Sequence, residues 1–210
     1  MCNCMNKGCS GCSGQAMVHC GNQCVTLGPF RAATSVCPPA NTGSIIPFSS
    51  GTSGVTLTTV ATGEVETVSA IGFGTAVNGI TPNADGTITL PVGATTEAFN
   101  VPRAGTISAV SATFTETTGT TLPAGTATIT ARIYRAPAGS NVFTPTNAFV
   151  NLTPTVTGAV TPGTVYQGTT NTNVPVSAGD RLVMVYSVAG TSVTAPVSLA
   201  GTGSAGITIS

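Results

Sequence analysis

The residues of this chain best suited to chemistry are seven cysteines, all of them near the N-terminus. They are Cys2, Cys4, Cys9, Cys12, Cys20, Cys24 and Cys37, and the single histidine, His19, stands beside Cys20. Such residues can form disulfides, ligate zinc, or supply a nucleophile activated by an imidazole. The chain after Cys37 contains no thiol, so these chemistries belong to the N-terminal segment alone.

Disulfides suit this segment better than the other two chemistries. Cys9-x2-Cys12 is a legitimate zinc half-site, but the remaining spacings are loose and complete no knuckle pattern. A Cys-His nucleophile needs a rigid pocket, which a Gly- and Ser-rich segment does not supply. Because the number of cysteines is odd, full oxidation leaves at least one to pair outside its own chain. We expect bridges to neighbouring subunits, above all from Cys2, Cys4, Cys9 and Cys12. A zinc site, and reduced or locally paired thiols, are the alternatives.

The acidic side chains suggest no paired acid/base site. Glu64, Glu66, Asp85, Glu97, Glu116 and Asp180 are scattered through predicted turns and strand ends, where we expect solvated surface charge. Gly72-Phe73-Gly74 and Gly201-Thr202-Gly203 are followed by neither a lysine nor a helix, so they fit turns or bulges better than phosphate loops. We expect no enzyme, no catalytic residue, no cofactor and no metal.

The composition is that of a polar β-protein with almost no charge. Charged residues make up 6% of the chain, the formal net charge is +0, and roughly one residue in five is threonine. This balance excludes a basic track for nucleic acid and leaves little self-repulsion to oppose assembly. No apolar run approaches the roughly 18 residues of a membrane span, and no signal peptide is recognisable. We expect synthesis in a cytosol, with the thiols oxidising after release.

The pattern along the chain predicts residues 1–44 as a cysteine-rich connector arm and residues 45–210 as one β-sandwich domain. The arm lacks apolar periodicity, whereas the body alternates short β-rich runs with Gly, Pro, Asn and Asp. The predicted strands are Val55 to Val60, Val65 to Phe73, Thr87 to Leu90, Ala98 to Val101, Ile107 to Thr115, Ala127 to Tyr134, Phe149 to Val156, Val174 to Val176, Arg181 to Val188, Val193 to Leu199 and Ile207 to Ile209. Short strands in this number indicate an all-β, jelly-roll-like antiparallel sandwich.

Side-chain alternation predicts which residues face the core. Ala127, Ile129, Ala131 and Ile133 oppose Thr126, Thr128, Thr130, Arg132 and Tyr134. Ile107 falls on the face of Ala109 and Ser111, opposite Val110. Leu182, Met184 and Tyr186, set against Val183, Val185 and Val188, indicate a strand buried on both faces. In the arm, Met17-Val18 and Val25-Thr26-Leu27 are short enough to add as an extra strand to a neighbour's sheet edge.

From Ile46 onward the chain resembles the C-terminal domain of BclB-type exosporium glycoproteins of spore-forming bacteria. The matching stretches are Ile46-Pro47-Phe48-Ser49-Ser50-Gly51, Val55-Thr56-Leu57-Thr58-Thr59-Val60-Ala61-Thr62-Gly63-Glu64-Val65, Ile71-Gly72-Phe73-Gly74, Val101-Pro102-Arg103-Ala104-Gly105-Thr106-Ile107 and Ala178-Gly179-Asp180-Arg181-Leu182-Val183-Met184-Val185-Tyr186-Ser187. The resemblance implies a β-sandwich on the spore surface without enzymatic activity.

The N-terminus departs from that family. Its members usually carry a collagen-like Gly-x-y stalk where this chain has the segment from Cys2 to Cys37. In plan the chain is therefore similar to subunits of bacterial endospore appendages, which join a jelly-roll domain to a cysteine-bearing connector. The resemblance implies synthesis in the mother-cell cytosol and exposure at lysis.

These observations lead to two functional expectations. The first is a structural subunit that polymerises with itself into a spore-surface fibre, joined by arm insertion and intermolecular disulfides, with a spore-coat or exosporium protein as a possible anchor. The alternative is a trimeric exosporium surface domain that binds glycans through loops such as Asn78 to Asp85 or Asn141 to Asn147. Neither expectation involves nucleic acid or a membrane.

Overall fold

The computed structural model describes the backbone of residues 16–20 and 23–27 and, apart from Pro123, residues 43–210. The chain divides into two units, Met1–Thr42 and Gly43–Ser210.

The first unit contains an antiparallel hairpin of two five-residue strands, β1 (Ala16–Cys20) and β2 (Gln23–Leu27). Gly21 and Asn22 stand between them in the sequence, a pair typical of tight hairpin turns. The two apolar pieces, each predicted to add as a single strand to a neighbour's sheet, pair with each other. This pairing was not predicted.

The second unit is built from antiparallel β-strands. Its strands are β3 (Ser44–Ser49), β4 (Val55–Thr59), β5 (Val65–Ile71), β6 (Ala76–Ile80), β7 (Ile88–Thr89), β8 (Phe99–Asn100), β9 (Gly105–Glu116), β10 (Thr120–Thr121), β11 (Thr126–Ala136), β12 (Val142–Asn151), β13 (Ala159–Val160), β14 (Val165–Val176), β15 (Arg181–Thr191) and β16 (Ser198–Ile209). In the described part of the chain the helical elements are two short 3-10 turns, Gly51–Ser53 and Val92–Glu97.

Eight of these strands form two facing sheets with jelly-roll connectivity. Sheet one has the order β14-β9-β16-β4, with β3 also paired to β16, and sheet two has the order β5-β15-β11-β12. Successive strands of these eight alternate between the sheets, except β11 and β12, which are neighbours in sheet two, and this is the pattern of a jelly roll. The pairing of Thr58 with Thr67 joins the sheets at one corner. The predicted fold class, an all-β jelly-roll-like antiparallel sandwich, is confirmed.

The main hydrophobic core fills the space between the sheets. Its largest buried side chains include Tyr186 on β15, Phe114 on β9 and Leu57 on β4. The Tyr186 hydroxyl lies 3.0 Å from the carbonyl oxygen of Thr113 and 2.8 Å from that of Ser204, so one sheet-two side chain reaches two strands of sheet one. Burial raises the pKa of this hydroxyl, which keeps it protonated and able to donate.

A second hydrophobic cluster covers the outer face of sheet two. It contains Val183 and Val185 of β15 and Tyr134 of β11, packed under residues from β6, β7 and the segment after β7. The predicted burial of β15 on both faces is therefore confirmed. The face predicted for Val188 is wrong. Val188 lies in the main core with Tyr186, because residues two positions apart along a strand lie on the same face.

The face predicted for Ile107 is also wrong. The register between β9 and β16 shifts between Thr208 and Ile209, which are opposite Ala109 and Ile107. This bulge adds Ser108 to one strand and turns Ile107 into the main core beside Val110. The alternation predicted for β11 is confirmed from Ala127 to Ile133.

Other predicted strands differ in extent. Strands β3, β6, β10 and β13 were missed, β12 begins before the predicted Phe149 and ends at Asn151, and only the last three residues of β14 were predicted. The strands predicted from Val193 to Leu199 and from Ile207 to Ile209 belong to one strand, β16, which begins at Ser198. The middle of β14, from Gln167 to Asn173, is polar, so it carries little apolar signal.

Candidate functional site

Two of the seven cysteines lie on described residues. Cys20 is opposite Gln23 in the hairpin register, and Cys24 is opposite His19. Cys2, Cys4, Cys9, Cys12 and Cys37 lie outside the described residues.

Cys20 and Cys24 occupy adjacent positions of the hairpin register. The expected bridges to neighbouring subunits stay a prediction.

Metal and membrane signals are absent from the described residues. No group of three or more His, Cys, Asp or Glu side chains among them could hold a metal ion. The zinc site considered for the arm involves cysteines that lie largely outside those residues. In the same part of the chain, no helix is long and apolar enough to cross a membrane.

The most distinctive surface of the body is an open edge between the two sheets. Within the described residues, β3 pairs with β16 on one side, and on its other side only Ser49 has backbone partners, at Gly72 and Gly74. The short strand β8 pairs with β15 on one side. Strands β3 and β8 thus leave backbone edges without partners among the described residues, and such edges can accept a further strand.

An apolar groove of about 230 Å³ lies at this edge, and we name it the open-edge groove. It is lined by Ser44, Ile46, Phe99, Val101, Pro102, Arg103 and Ile209. Ile46, Val101 and Ile209 are buried and form its floor, while Arg103 is exposed at the rim. The groove therefore offers an apolar surface with a single charged side chain at its margin.

Aromatic rings extend the apolar surface beside the groove. The Phe73 ring stacks on Phe48 with the ring centroids 5.8 Å apart and meets Phe99 edge-on at 6.5 Å. The Phe73 side chain is 55% exposed, although phenylalanine is among the residues most often buried. Exposed apolar surface of this kind is typical of a contact site.

A second groove, of about 320 Å³, has a mixed polar and apolar lining. It lies between the Thr144–Asn147 stretch of β12 and Asn173 to Pro175 of β14, with Arg135 beside it. The Arg135 guanidinium donates to the Pro175 carbonyl at 3.0 Å and lies 3.7 Å from the Asp180 carboxylate. Two loops were expected to bind glycans. The first, Asn141 to Asn147, is mainly strand, since β12 begins at Val142, and the second begins at Asn78, which lies within β6.

The expectation of solvated carboxylates holds for Glu64, Glu66 and Asp85, which are exposed. It is wrong for the other three, since Glu97, Glu116 and Asp180 are buried. Each buried carboxylate has its own donors: the Thr75 hydroxyl for Glu97, the Ala200 N–H and Thr118 hydroxyl for Glu116, and the Ser177 N–H for Asp180.

The pKa of the buried Glu116 carboxyl departs from its ordinary value. Burial raises its pKa, against the hydrogen bonds from Ala200 and Thr118. Its second oxygen, Oε2, is buried and has no partner among the described residues, which also applies to Oε2 of Glu97. Neither acid lines the two grooves. The core-facing series Val110, Ala112, Phe114 continues to position 116, so alternation contained a signal for this burial.

The glycine-rich stretch Gly201-Thr202-Gly203 is neither a turn nor a loop. It lies within β16, and both glycines face the main core. A Cβ at Gly203 would lie 3.2 Å from the Tyr186 ring, so the glycine leaves room for that ring. Gly72-Phe73-Gly74 directly follows β5, in the connection to β6, as predicted for a turn.

Comparisons with known proteins identify no family. No family model matches the chain, and no curated protein matches it either. Among solved structures, Eiger TNF from S. frugiperda overlaps 79% of this chain and 92% of its own, with 11% sequence identity and a TM-score of 0.34. A likeness at that level carries no argument about function.

Proposed function

We propose that this chain is a structural subunit that assembles with copies of itself into a fibre on the surface of a bacterial spore. The observation that supports the proposal is that the cysteines and the hydrophobic core lie in different parts of the chain. All seven cysteines precede residue 38, and the core of Gly43–Ser210 is complete without them. Cysteines that are not needed for a core are available for contacts between subunits.

The body has the properties of a subunit that packs against its own kind. Its surface has few charges, so like-charge repulsion is weak, and its open edge has apolar side chains and backbone groups without partners among the described residues. An arm that joins a different surface on the next subunit makes a head-to-tail contact, which does not close on itself and so propagates. A spore-coat or exosporium protein would anchor the first subunit.

Electron microscopy combined with non-reducing electrophoresis tests this proposal. Full-length protein purified with reductant and then oxidised is expected to form fibres and a ladder of disulfide-linked oligomers, both lost or weakened when reductant returns. Discrete small particles alone under oxidising conditions would contradict it.

Two serine variants test which cysteines form the bridges. Replacing Cys2, Cys4, Cys9 and Cys12 is expected to abolish the ladder, because the most distal part of the arm reaches furthest. Replacing Cys20, Cys24 and Cys37 is the matched control and should leave a ladder. Equal ladders from both variants would show that the distal assignment is wrong.

The second candidate function is a glycan-binding surface module, which the hydrogen-bonding side chains of the second groove favour. Its amides at Asn147 and Asn173, hydroxyls and single arginine can hydrogen-bond a sugar. A stable trimer in solution that binds a glycan array, with binding reduced by Asn147→Ala, would support it. A fold alone does not, since sandwiches host many functions.

A further inference from the structure

We propose that the open-edge groove receives the turn between β4 and β5 of a second copy of this chain. The turn and the first residues of β5, residues 60–66, are named the acidic turn. The inference rests on the proposed self-assembly and adds to it a contact between two folded bodies that does not involve the arm.

The acidic turn exposes two carboxylates together with two aliphatic side chains. Glu64 and Glu66 are exposed and have no hydrogen-bond or ion-pair partner among the described residues. Val60 and Val65 are exposed in the same turn. The Val60 N–H donates to the Glu64 carbonyl at 3.0 Å, which fixes the backbone of the turn. A contact made by this turn would therefore lose little chain entropy.

The groove offers the complementary combination, an apolar floor beside an arginine. Arg103 is exposed at the rim and has no hydrogen-bond or ion-pair partner among the described residues. The other arginines of Gly43–Ser210 donate to backbone carbonyls: Arg132 to Thr146, Arg135 to Pro175 and Arg181 to Ser140. The Arg103 guanidinium is therefore available to a carboxylate from outside, and such charge-assisted hydrogen bonds are among the strong ones.

The two surfaces also match in apolar character and size. The floor of the groove is aliphatic, and Ile45, next to the lining residues Ser44 and Ile46, is 78% exposed. A groove of about 230 Å³ has room for the six carbon atoms of two valine side chains, at roughly 30 Å³ for each water-sized group. The charges lie at the rim, where they determine orientation and choice of partner more than affinity. We expect a weak contact that the disulfides of the arm make permanent.

The groove and the acidic turn lie at opposite ends of the sandwich. Strand β16 ends at Ile209, opposite Ser44 at the groove, and begins at Ser198, opposite Thr58 just before the acidic turn. Its twelve residues span about 40 Å. A chain therefore cannot place its own turn in its own groove, so the occupant is a second copy. Contact between two different ends is head-to-tail and propagates, as a fibre requires.

Carbodiimide cross-linking tests this contact, because it joins an amine to a carboxylate only when the two groups touch. Lys7 is the single lysine of the chain, so Arg103→Lys adds one amine at the rim and keeps the charge. Full-length Arg103→Lys protein, half of it labelled with 15N, is assembled, cross-linked and mapped by mass spectrometry. We expect position 103 to join Glu64 or Glu66 of the other isotope about ten-fold more often than position 169 does in Thr169→Lys.

Thr169→Lys is the matched control because Thr169 is also exposed. It lies on β14, at the other edge of sheet one from β3, and belongs neither to the groove nor to the acidic turn.

Charge reversal tests whether the two surfaces recognise each other. Arg103→Glu alone, or Glu64→Arg with Glu66→Arg, should raise the critical concentration for assembly of the full-length protein about ten-fold, because like charges then meet. All three reversals in one chain should restore assembly, since the opposite charges meet again. Asp85→Arg is the control, because it reverses an exposed charge outside both surfaces and should leave the critical concentration unchanged.

The outcomes separate this inference from the proposed function. Fibres that form with equal cross-linking at positions 103 and 169, or a triple reversal that stays impaired, overturn the inference alone. Cross-links from Glu64 or Glu66 to Lys7 in place of position 103 show that the arm is the partner of the acidic turn and also overturn it. An absence of both fibres and disulfide-linked oligomers in the wild type overturns the proposed function, and this inference with it.

Discussion

Glu116, at the end of β9, bonds to residues in or next to both neighbouring strands of sheet one, β14 and β16. Its backbone pairs with Thr164 and Gly163, and its carboxylate accepts from Ala200 at the β16 side. The residue is 1% exposed, with one carboxylate oxygen unsatisfied among the described residues. A neutral acid costs less in such a site than an ion does. The protonation state of Glu116 is therefore coupled to stability.

The direction of that coupling gives a pH prediction. A folded pKa above the usual 4.5 means that the native state binds the proton more tightly than the unfolded chain. The contribution of Glu116 to stability is therefore fully present below pH 4.5 and is lost as the pH rises through the folded pKa. We expect Glu116→Gln, which cannot ionise, to gain in urea midpoint relative to wild type between pH 4 and pH 7.

The exposed Glu64→Gln is the control for this measurement, because it makes the same chemical change at the surface. A Glu116→Gln difference that stays constant with pH would show that this carboxyl binds protons equally in the folded and unfolded chain, which contradicts a raised pKa.

Glycines in strand β16 allow it to pack closely against the strands beside and opposite it. It pairs with β9 on one side and with β3 and β4 on the other, and Gly201, Gly203 and Gly206 lie along it. A Cβ at Gly201 would lie 2.2 Å from the Thr115 carbonyl oxygen and 2.6 Å from the Phe114 ring. A Cβ at Gly206 would have its nearest neighbour 4.0 Å away.

Alanine substitutions at these two glycines should therefore have opposite consequences. We expect Gly201→Ala to lower the free energy of unfolding by about 1–3 kcal/mol, because the methyl group overlaps backbone that is fixed by sheet pairing. Gly206→Ala should be neutral or should raise it by up to about 1 kcal/mol, because it restricts the unfolded chain without a clash. Chemical denaturation of both variants compares them on one strand, and equal losses would contradict the packing described for Gly201.

At the scale of the whole molecule, the body should be independent of the arm. Both hydrophobic clusters lie within Gly43–Ser210, which contains no cysteine. The fragment Gly43–Ser210 is expected to fold with a thermal midpoint within a few degrees of the full chain, and to stay free of fibres under oxidising conditions. Circular dichroism and sedimentation measure the two properties. Fibres formed by this fragment would show that assembly does not need the arm.

Sequence patterns recovered the faces of β11 and, apart from Val188, of β15, because each has a run of alternating residues whose apolar members are buried. They recovered little of β14, whose middle is polar, and missed the turn of Ile107 into the core. They also missed the β1–β2 pairing, because each piece is short and its partner is identified only by the register. The open-edge groove joins residues from Ser44 to Ile209, so no local pattern could indicate it.

The sequence alone determined the β class of the body, its low charge and the restriction of every thiol to the first 37 residues, because these depend on composition and local alternation. Only the tertiary structure decided which alternating faces are covered, which acids are buried and which sheet edge stays open. The physical reason is distance along the chain. Glu116 meets Ala200 from 84 residues away, and β3 meets β16 from opposite ends of the body, so these outcomes depend on long-range pairing.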